Sequence, residues 1–336
     1  MGIRRLGRPA GFNYPTGLSG IFTESSNSSV DYLVVAGGGG GGRYGGGGGA
    51  GGFLQGSNLS LSVSTNYAIT IGGGGAGHLG DAQNGGAAGP GSYSLFTPSA
   101  PANTFYQYAV GGGGGANYMG PTAPNNGGAL AGGSGGGGGR NNPISTGGAG
   151  TPGQGSAGGN SLSDGSPSGG GGGGGGAGDV GQAGANAPEP ASKGGIGSQS
   201  SFSGTPTYYA GGGSGSGRPS ASIIAGGSGG GGAGYGEGPG APFNPALTCD
   251  GEENTGGGGG GTADTLVPGT PSPGYRGGNG GKGIVIIRYD GVAQKATGGT
   301  VTTPSGYVVH TFTGDGTFAT NANFDTSITF SGYSIN

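Results

Sequence analysis

The sequence predicts a non-α fold: a bundle or sandwich of polyglycine II-type helices, framed by short β-strands and hairpins, with essentially no α-helix. Three observations carry that prediction. Glycine supplies 103 of 336 residues, against an ordinary usage of about 7%. The glycines stand in solid blocks rather than being spread evenly. Leu, Ile, Val and Phe together number only 48, too few for a conventional apolar core. A Rossmann or TIM fold is excluded, because both need repeated apolar strands and amphipathic helices. Collagen needs a strict three-residue period and abundant proline, whereas proline numbers 21. Ordinary disorder couples low hydrophobicity to high net charge, and here the net charge is −3.

Taken in chain order, residues 1–30 read as an N-terminal docking segment. It carries Arg4, Arg5 and Arg8, and it lacks the apolar run of a secretory signal. Residues 31–290 read as the glycine-rich domain. Asp31–Gly37 (DYLVVAG) is a β-branched strand that runs into the first block, Gly37–Gly42. Ser60–Ser64 alternates like a strand, and Asn66–Gly72 (NYAITIG) is a second strand entering glycine. Phe105–Gly111 and Thr207–Gly212 are aromatic strands of the same kind, and Gly283–Tyr289 (GIVIIRY) is the strongest strand. Residues 291–336 read as a C-terminal β-hairpin segment, with turn signals at Pro304–Gly306 and Gly314–Gly316. No window has apolar residues at helical spacing, and glycine costs about 1 kcal/mol relative to alanine inside a helix.

Two readings of the blocks compete. As flexible filler, they would avoid an ordering cost of about 1–2 kcal/mol per residue. Linkers, however, mix glycine with Ser, Lys or Glu, and these blocks are nearly pure. The framework reading makes each block an extended helix with three residues per turn and no internal hydrogen bonds. Its N–H and C=O groups then point outward and need neighbouring segments as partners. Any side chain would force those neighbours apart. Gly169, Gly172 and Gly175 of the longest run, with Gly256 and Gly259, are the positions expected to carry this packing.

Loops on a rigid scaffold are the usual place for recognition. Three carry adaptable or aromatic groups suited to binding: Asn117–Asn126, Arg140–Thr146 and Tyr235–Asn254. The candidates are Asn117, Tyr118, Asn125, Asn126, Arg140, Asn141, Asn142, Tyr235 and Phe243. The competing reading is that the aromatics pack under their own loops. Enzyme motifs fail on inspection, so no catalytic residue, cofactor or metal is expected. His78 and His310 lack ligand neighbours at metal spacing. Lys282 of GGKG is followed by Gly rather than Ser or Thr. Asp250, Glu252 and Glu253 read as a solvated acidic turn. With 11 basic and 14 acidic residues there is no nucleic-acid footprint. No run approaches the length of a membrane span, and the single Cys249 has no intramolecular disulfide partner.

At Tyr32–Gly42, Gly46–Gly52, Leu61–Gly77, Gly226–Gly234, Gly281–Tyr289 and Gly298–Phe318 the sequence resembles the glycine-rich domain of bacteriophage tail-fibre and adhesin proteins. The tip adhesins of T-even-like phages are similar in having polyglycine helices in a layered bundle, whose exposed loops recognise the host. In the family the HTFT…GTF segment usually precedes the glycine domain, whereas here His310–Phe318 follows it. The resemblance implies a virion protein with receptor binding as its role. The expected partners are a host polysaccharide or outer-membrane protein and, through residues 1–30, another virion protein. Self-association into a homo-oligomer is compatible with the same reading. A capsid or tail decoration protein is the alternative. An ice-binding protein is a third reading, disfavoured by the irregular Tyr, Pro and Asn loops.

Overall fold

The computed structural model describes residues 29–79, 86–99, 105–118, 128–140, 144–162, 169–185, 192–217, 223–236, 248–262 and 276–324. Among the described residues there is no helix. The strands are β1 (Ser29–Val35), β2 (Phe53–Ser60), β3 (Asn66–Thr70), β4 (Ser94–Pro98), β5 (Gln107–Ala109), β6 (Ser198–Ser200), β7 (Thr207–Tyr209), β8 (Ile223–Ile224), β9 (Gly234–Tyr235), β10 (Ile284–Asp290), β11 (Ala296–Thr297), β12 (Thr300–Thr302), β13 (Tyr307–Phe312) and β14 (Gly316–Thr320). One antiparallel sheet has the order β12-β13-β10-β1-β2 and a second the order β11-β14-β3-β4-β5. Two further hairpin-like pairs join β6 to β7 and β8 to β9.

Strands β1 and β10 pair with Val34 opposite Val285 and Tyr32 opposite Ile287. Both are almost continuously apolar because both faces are covered. Val34, Val285 and Ile287 face a core shared by the two sheets, with Tyr67, Phe96 and Phe318. Leu33, Val35, Ile284 and Ile286 face a separate cluster with Phe202 and Tyr209, beside the β6–β7 pair. Aromatic edges hold the inter-sheet core: Tyr67 meets Phe96 at 5.9 Å and 63°. His310 is fully buried there, its ring 5.0 Å from that of Phe318.

Several elements differ from the sequence reading. Of Ser60–Ser64 only Ser60 belongs to a strand; the rest turns, with Ser64 at a φ of 50°. Strands β2 and β4 were not anticipated. The first is half exposed and largely polar, and the second is a short SLFTP segment. Between β12 and β13 the chain makes the expected turn, with Ser305 and Gly306 both left-handed at φ 47° and 85°. Tyr307 N–H donates to Pro304 O across it, which is the turn that suits a two-residue hairpin. The second turn signal, at Gly314–Gly316, does not close a hairpin. It carries the chain from β13 in one sheet to β14 in the other.

The glycine blocks are extended segments bonded with a three-residue period. The block after β1 shows the rule. Gly37 and Gly40 donate to Ser92 and Gly89, Gly38 and Gly41 to Gly281 and Gly278, and Gly39 and Gly42 to Gly49 and Gly46. The carbonyls of the same pairs accept from Gly112 and Gly115, from Gly75 and His78, and from Gly259 and Thr262. Six neighbours therefore surround this segment, three antiparallel through its N–H groups and three parallel through its C=O groups. None of Gly37–Gly42 has a positive φ. A three-residue turn without internal hydrogen bonds is the polyproline II-type helix. Residues 45–52, 170–176, 211–216 and 256–262 are each enclosed by six neighbours in the same way.

This lattice excludes side chains. A Cβ would lie 2.0 Å from Gly159 O at Gly172, 2.1 Å from Ser156 O at Gly175 and 2.1 Å from Gly278 O at Gly259. Gly256 combines a φ of 71° with a Cβ position 2.4 Å from Ala36 O. Gly169 is buried at the head of its run. Backbone hydrogen bonds and close backbone contact thus fill the volume that apolar side chains fill elsewhere.

The directions of the segments define a far end. Residues 37–42 leave β1, turn at Arg43–Tyr44, and return as 45–52 to β2. Residues 72–78 leave β3 and 86–92 return to β4; residues 111–117 leave β5 and 134–139 run parallel to them. Asn117, Tyr118 and Arg140 therefore finish at the same end as Arg43 and Tyr44, away from the two sheets.

Candidate functional site

At this far end the last glycines give way to side chains because the lattice stops there. Tyr44 takes a φ of 47° to reverse the chain between two glycine segments. Its N–H donates to Thr262 O. Asn117 locks the turn from the neighbouring segment: its Oδ1 accepts the Arg43 N–H at 2.6 Å. Tyr118 N–H in turn donates to Arg43 O at 3.1 Å. Backbone bonds and the Asn117 side chain therefore set the backbone of Arg43, Tyr44 and Tyr118, and Arg140 ends the neighbouring segment beside them.

Arg43, Tyr44, Tyr118 and Arg140 form a row of cation, ring, ring and cation. The Arg43 guanidinium carbon lies 5.1 Å from the Tyr44 ring centre, and that of Arg140 lies 5.2 Å from the Tyr118 ring centre. The two tyrosine rings meet edge to face at 6.1 Å and 63°. A cation over an aromatic face is worth about 0.5–2 kcal/mol, more as water is excluded. The arrangement holds two planar guanidiniums and two rings in fixed relation. Arg43, Tyr44 and Tyr118, the partly open members, can meet a ligand that has an apolar ring face and anionic or hydroxyl substituents.

The structure brings together Asn117, Tyr118 and Arg140 of the predicted candidates. Asn117 and Arg140 are only 3% and 7% exposed, so they support the face from beneath, while Tyr118 is partly open. Tyr235 is placed elsewhere. It is buried in a small cluster with Ala233, Cys249 and Ile223, and burial followed by the nearby Cys249 thiol raises its hydroxyl pKa. For Tyr235 the packing alternative holds: its ring belongs to the interior. Asn125, Asn126, Asn141, Asn142 and Phe243 lie outside the described residues, as do Arg4, Arg5 and Arg8. Arg43 and Tyr44 were missed by the sequence reading. The available signal was their place as the one side-chain-bearing pair between Gly37 and Gly49, which marks a reversal rather than a break.

The acidic turn is engaged. Asp250 accepts both Arg276 Nη1 and Nη2 at 2.9 Å and the Asn279 N–H at 2.6 Å. Among the described residues no group of three or more His, Cys, Asp or Glu side chains is placed to hold a metal ion. His310 is an interior residue. The Gly298 carbonyl 2.7 Å from Nδ1 can only accept, so Nδ1 carries the proton and Nε2 faces the Tyr289 hydroxyl at 3.3 Å.

The fold and the far-end face define a class: proteins in which a glycine backbone lattice, anchored by paired β-sheets, replaces the apolar interior. The chain belongs to the glycine-rich domain family, whose model matches residues 16–290. No curated protein matches it.

Proposed function

We propose that the protein is a virion component, a tail-fibre or tip adhesin, that attaches to the host cell surface through the far end of its glycine lattice. The observation that carries this reading is the Arg43–Tyr44–Tyr118–Arg140 cluster. Two guanidiniums and two tyrosine rings hold one another by cation–ring and edge-to-face contacts at the end remote from the sheets. A binding face held this rigidly loses little conformational entropy when it engages a ligand. Membership of the glycine-rich domain family and the tail-fibre resemblance of its motifs support the same reading. The partner it suits is a bacterial polysaccharide or an outer-membrane protein bearing anionic and hydroxyl groups. Residues 1–30 would join the protein to the particle.

The test is competition. Purified protein should block adsorption of the parent phage, and Tyr118→Ala should need about tenfold more protein for equal blocking, as expected for a lost aromatic anchor. Immunogold label should fall on the tail. Label on the head, or blocking that is equally strong with Tyr44→Ala and Tyr118→Ala combined, would rule the reading out.

A further inference from the structure

A second aromatic feature lies at the opposite end of the molecule, on the outer face of the second sheet. Phe96, Tyr67, Ile69, Phe318 and Ala109 point into the core, so the alternate residues face outward. The register places Tyr108 beside Leu95 and Leu95 beside Thr70, with Thr97, Ala68 and Thr317 in the next row. None of these positions is charged. At the edge of the face three tyrosines stack: Tyr93 on Tyr108 at 5.1 Å and 30°, and Tyr106 on Tyr108 at 5.6 Å and 11°. Tyr106 is 59% exposed and Tyr93 45%.

Two exposed rings, Tyr93 beside β4 and Tyr106 beside β5, flank the half-buried ring of Tyr108, and such an exposed aromatic patch calls for a partner. Edge pairing with another strand is blocked at this place. Gln154 Nε2 donates to Tyr108 O at 2.9 Å, and Gln154 Oε1 accepts the Val110 N–H at 2.8 Å. One side chain thus fills the β5 edge just where the rings stand, leaving the ring faces rather than the backbone as the contact surface. Single-stranded nucleic acid also stacks on aromatics, but it needs a positive groove as well, and the rows of this face carry no Lys or Arg. Apart from Asp315 at the far margin, which accepts the Ile71 N–H at 2.8 Å, this face of tyrosine, threonine, leucine and alanine is uncharged and matches a chain with flat C–H faces and hydroxyl rims.

We propose that Tyr93, Tyr106 and Tyr108 form a binding site for neutral polysaccharide chains, with sugar rings stacking on the tyrosines and hydroxyls meeting Thr70 and Thr97. Mutual stacking of the rings fixes their rotamers before the ligand arrives, which limits the ordering cost of binding. The site is separate from the far-end face, and it does not rest on the adhesin reading.

The test uses biolayer interferometry of the full chain on immobilised galactomannan, barley β-glucan and dextran, with alginate and oligothymidylate as charged comparators. The expected result is binding to at least one neutral polysaccharide that is insensitive to salt. Tyr106→Ala should weaken it about tenfold, within the range of one lost stacking contact. Tyr106→Phe should retain it, and Val180→Ala, at an exposed position on neither face, should leave it unchanged. No binding to any of the three neutral chains overturns the proposal, as does binding confined to alginate or the oligonucleotide. Undiminished binding with Tyr93→Ala and Tyr106→Ala combined also overturns it. Tyrosine-dependent self-association in sedimentation runs, without polysaccharide binding, would assign the face to a second copy instead. Loss of neutral-polysaccharide binding in Tyr106→Ala with adsorption blocking intact separates the two sites.

Discussion

Gly172→Ala places one methyl group where the lattice leaves no volume. Its Cβ would stand 2.0 Å from Gly159 O and 2.6 Å from Gly159 C. Carbon in comfortable contact sits at about 3.5 Å or more, so the segment carrying Gly159 has to retreat by roughly 1.5 Å. That segment is tied to the Gly172 run by Gly159 N–H to Gly173 O at 2.8 Å and Ser156 N–H to Gly176 O at 3.1 Å. A retreat of this size stretches both bonds beyond useful length. Leaving buried backbone groups unpaired costs about 1–3 kcal/mol each, and overpacking adds about 1–3 kcal/mol. Stiffening of the unfolded chain by alanine returns only about 0.4–1 kcal/mol. The expected net loss is about 2–8 kcal/mol, a large part of an ordinary domain's stability. Gly73→Ala is the matched control, because nothing lies within 4 Å of its Cβ position; it should be neutral or slightly stabilising. Urea unfolding followed by tyrosine fluorescence measures both. Hydrogen exchange should show residues 156–159 opening more readily in Gly172→Ala. If Gly172→Ala falls within about 0.5 kcal/mol of Gly73→Ala, a scale on which ordinary surface changes lie, the close-packed lattice is refuted.

Three further outcomes follow from the interior side chains. Burial lowers the pKa of His310, partly opposed by its bond to Gly298. Its stabilising contribution is therefore present above the unfolded value near 6.5 and is lost as pH falls below it, by at most about 1.4 kcal/mol per pH unit; a urea midpoint that is flat from pH 7 to 5 would contradict this. Burial first, and Asp250 second, push the Cys249 thiol up to about 11 from 9.0, so alkylation by iodoacetamide at pH 8 should be roughly a hundredfold slower than in the unfolded chain; equal rates would show the thiol to be open. Arg288 lies 4.0 Å from the Phe202 ring centre and 4.3 Å from that of Tyr307, and pairs with Asp31 at 3.0 Å. Arg288→Ala should cost about 2–4 kcal/mol and Arg288→Lys should recover less than half, since lysine lacks the planar group; full recovery in calorimetry would reduce the site to a point charge.

What was legible in the sequence depended on whether one segment carried its own signal. Tyr32–Val35 and Ile284–Ile287 announced buried strands through uninterrupted apolar residues, many of them β-branched, and the pure glycine runs pointed to a framework rather than a linker. Strand β2 did not announce itself, because Gln55, Ser57 and Asn58 face water, Gly56 carries no side chain, and its pairing depends on β1. The partners of each glycine block were equally hidden, since one glycine segment is chemically identical to the next. The far-end site was half legible: Asn117, Tyr118 and Arg140 stood out by type, but only the lattice brings them to Arg43 and Tyr44. Tyr235 shows the reverse case, an aromatic in a promising loop that the fold turns inward against Cys249 and Ile223.

The three-residue bonding period sets a rule for how this molecule can change length. In Gly37–Gly42 successive N–H groups address three different neighbours, and the fourth returns to the first. Adding or removing three residues within a run restores every donor to its old direction and only lengthens the column. Adding one or two rotates all later groups by about a third or two thirds of a turn, so that each addresses the wrong neighbour. The lattice behaves as a phase counter, tolerant of whole turns and intolerant of fractions. Changes in column height, and with them the reach of the far-end face from the sheets, are therefore available to such a protein in steps of three residues.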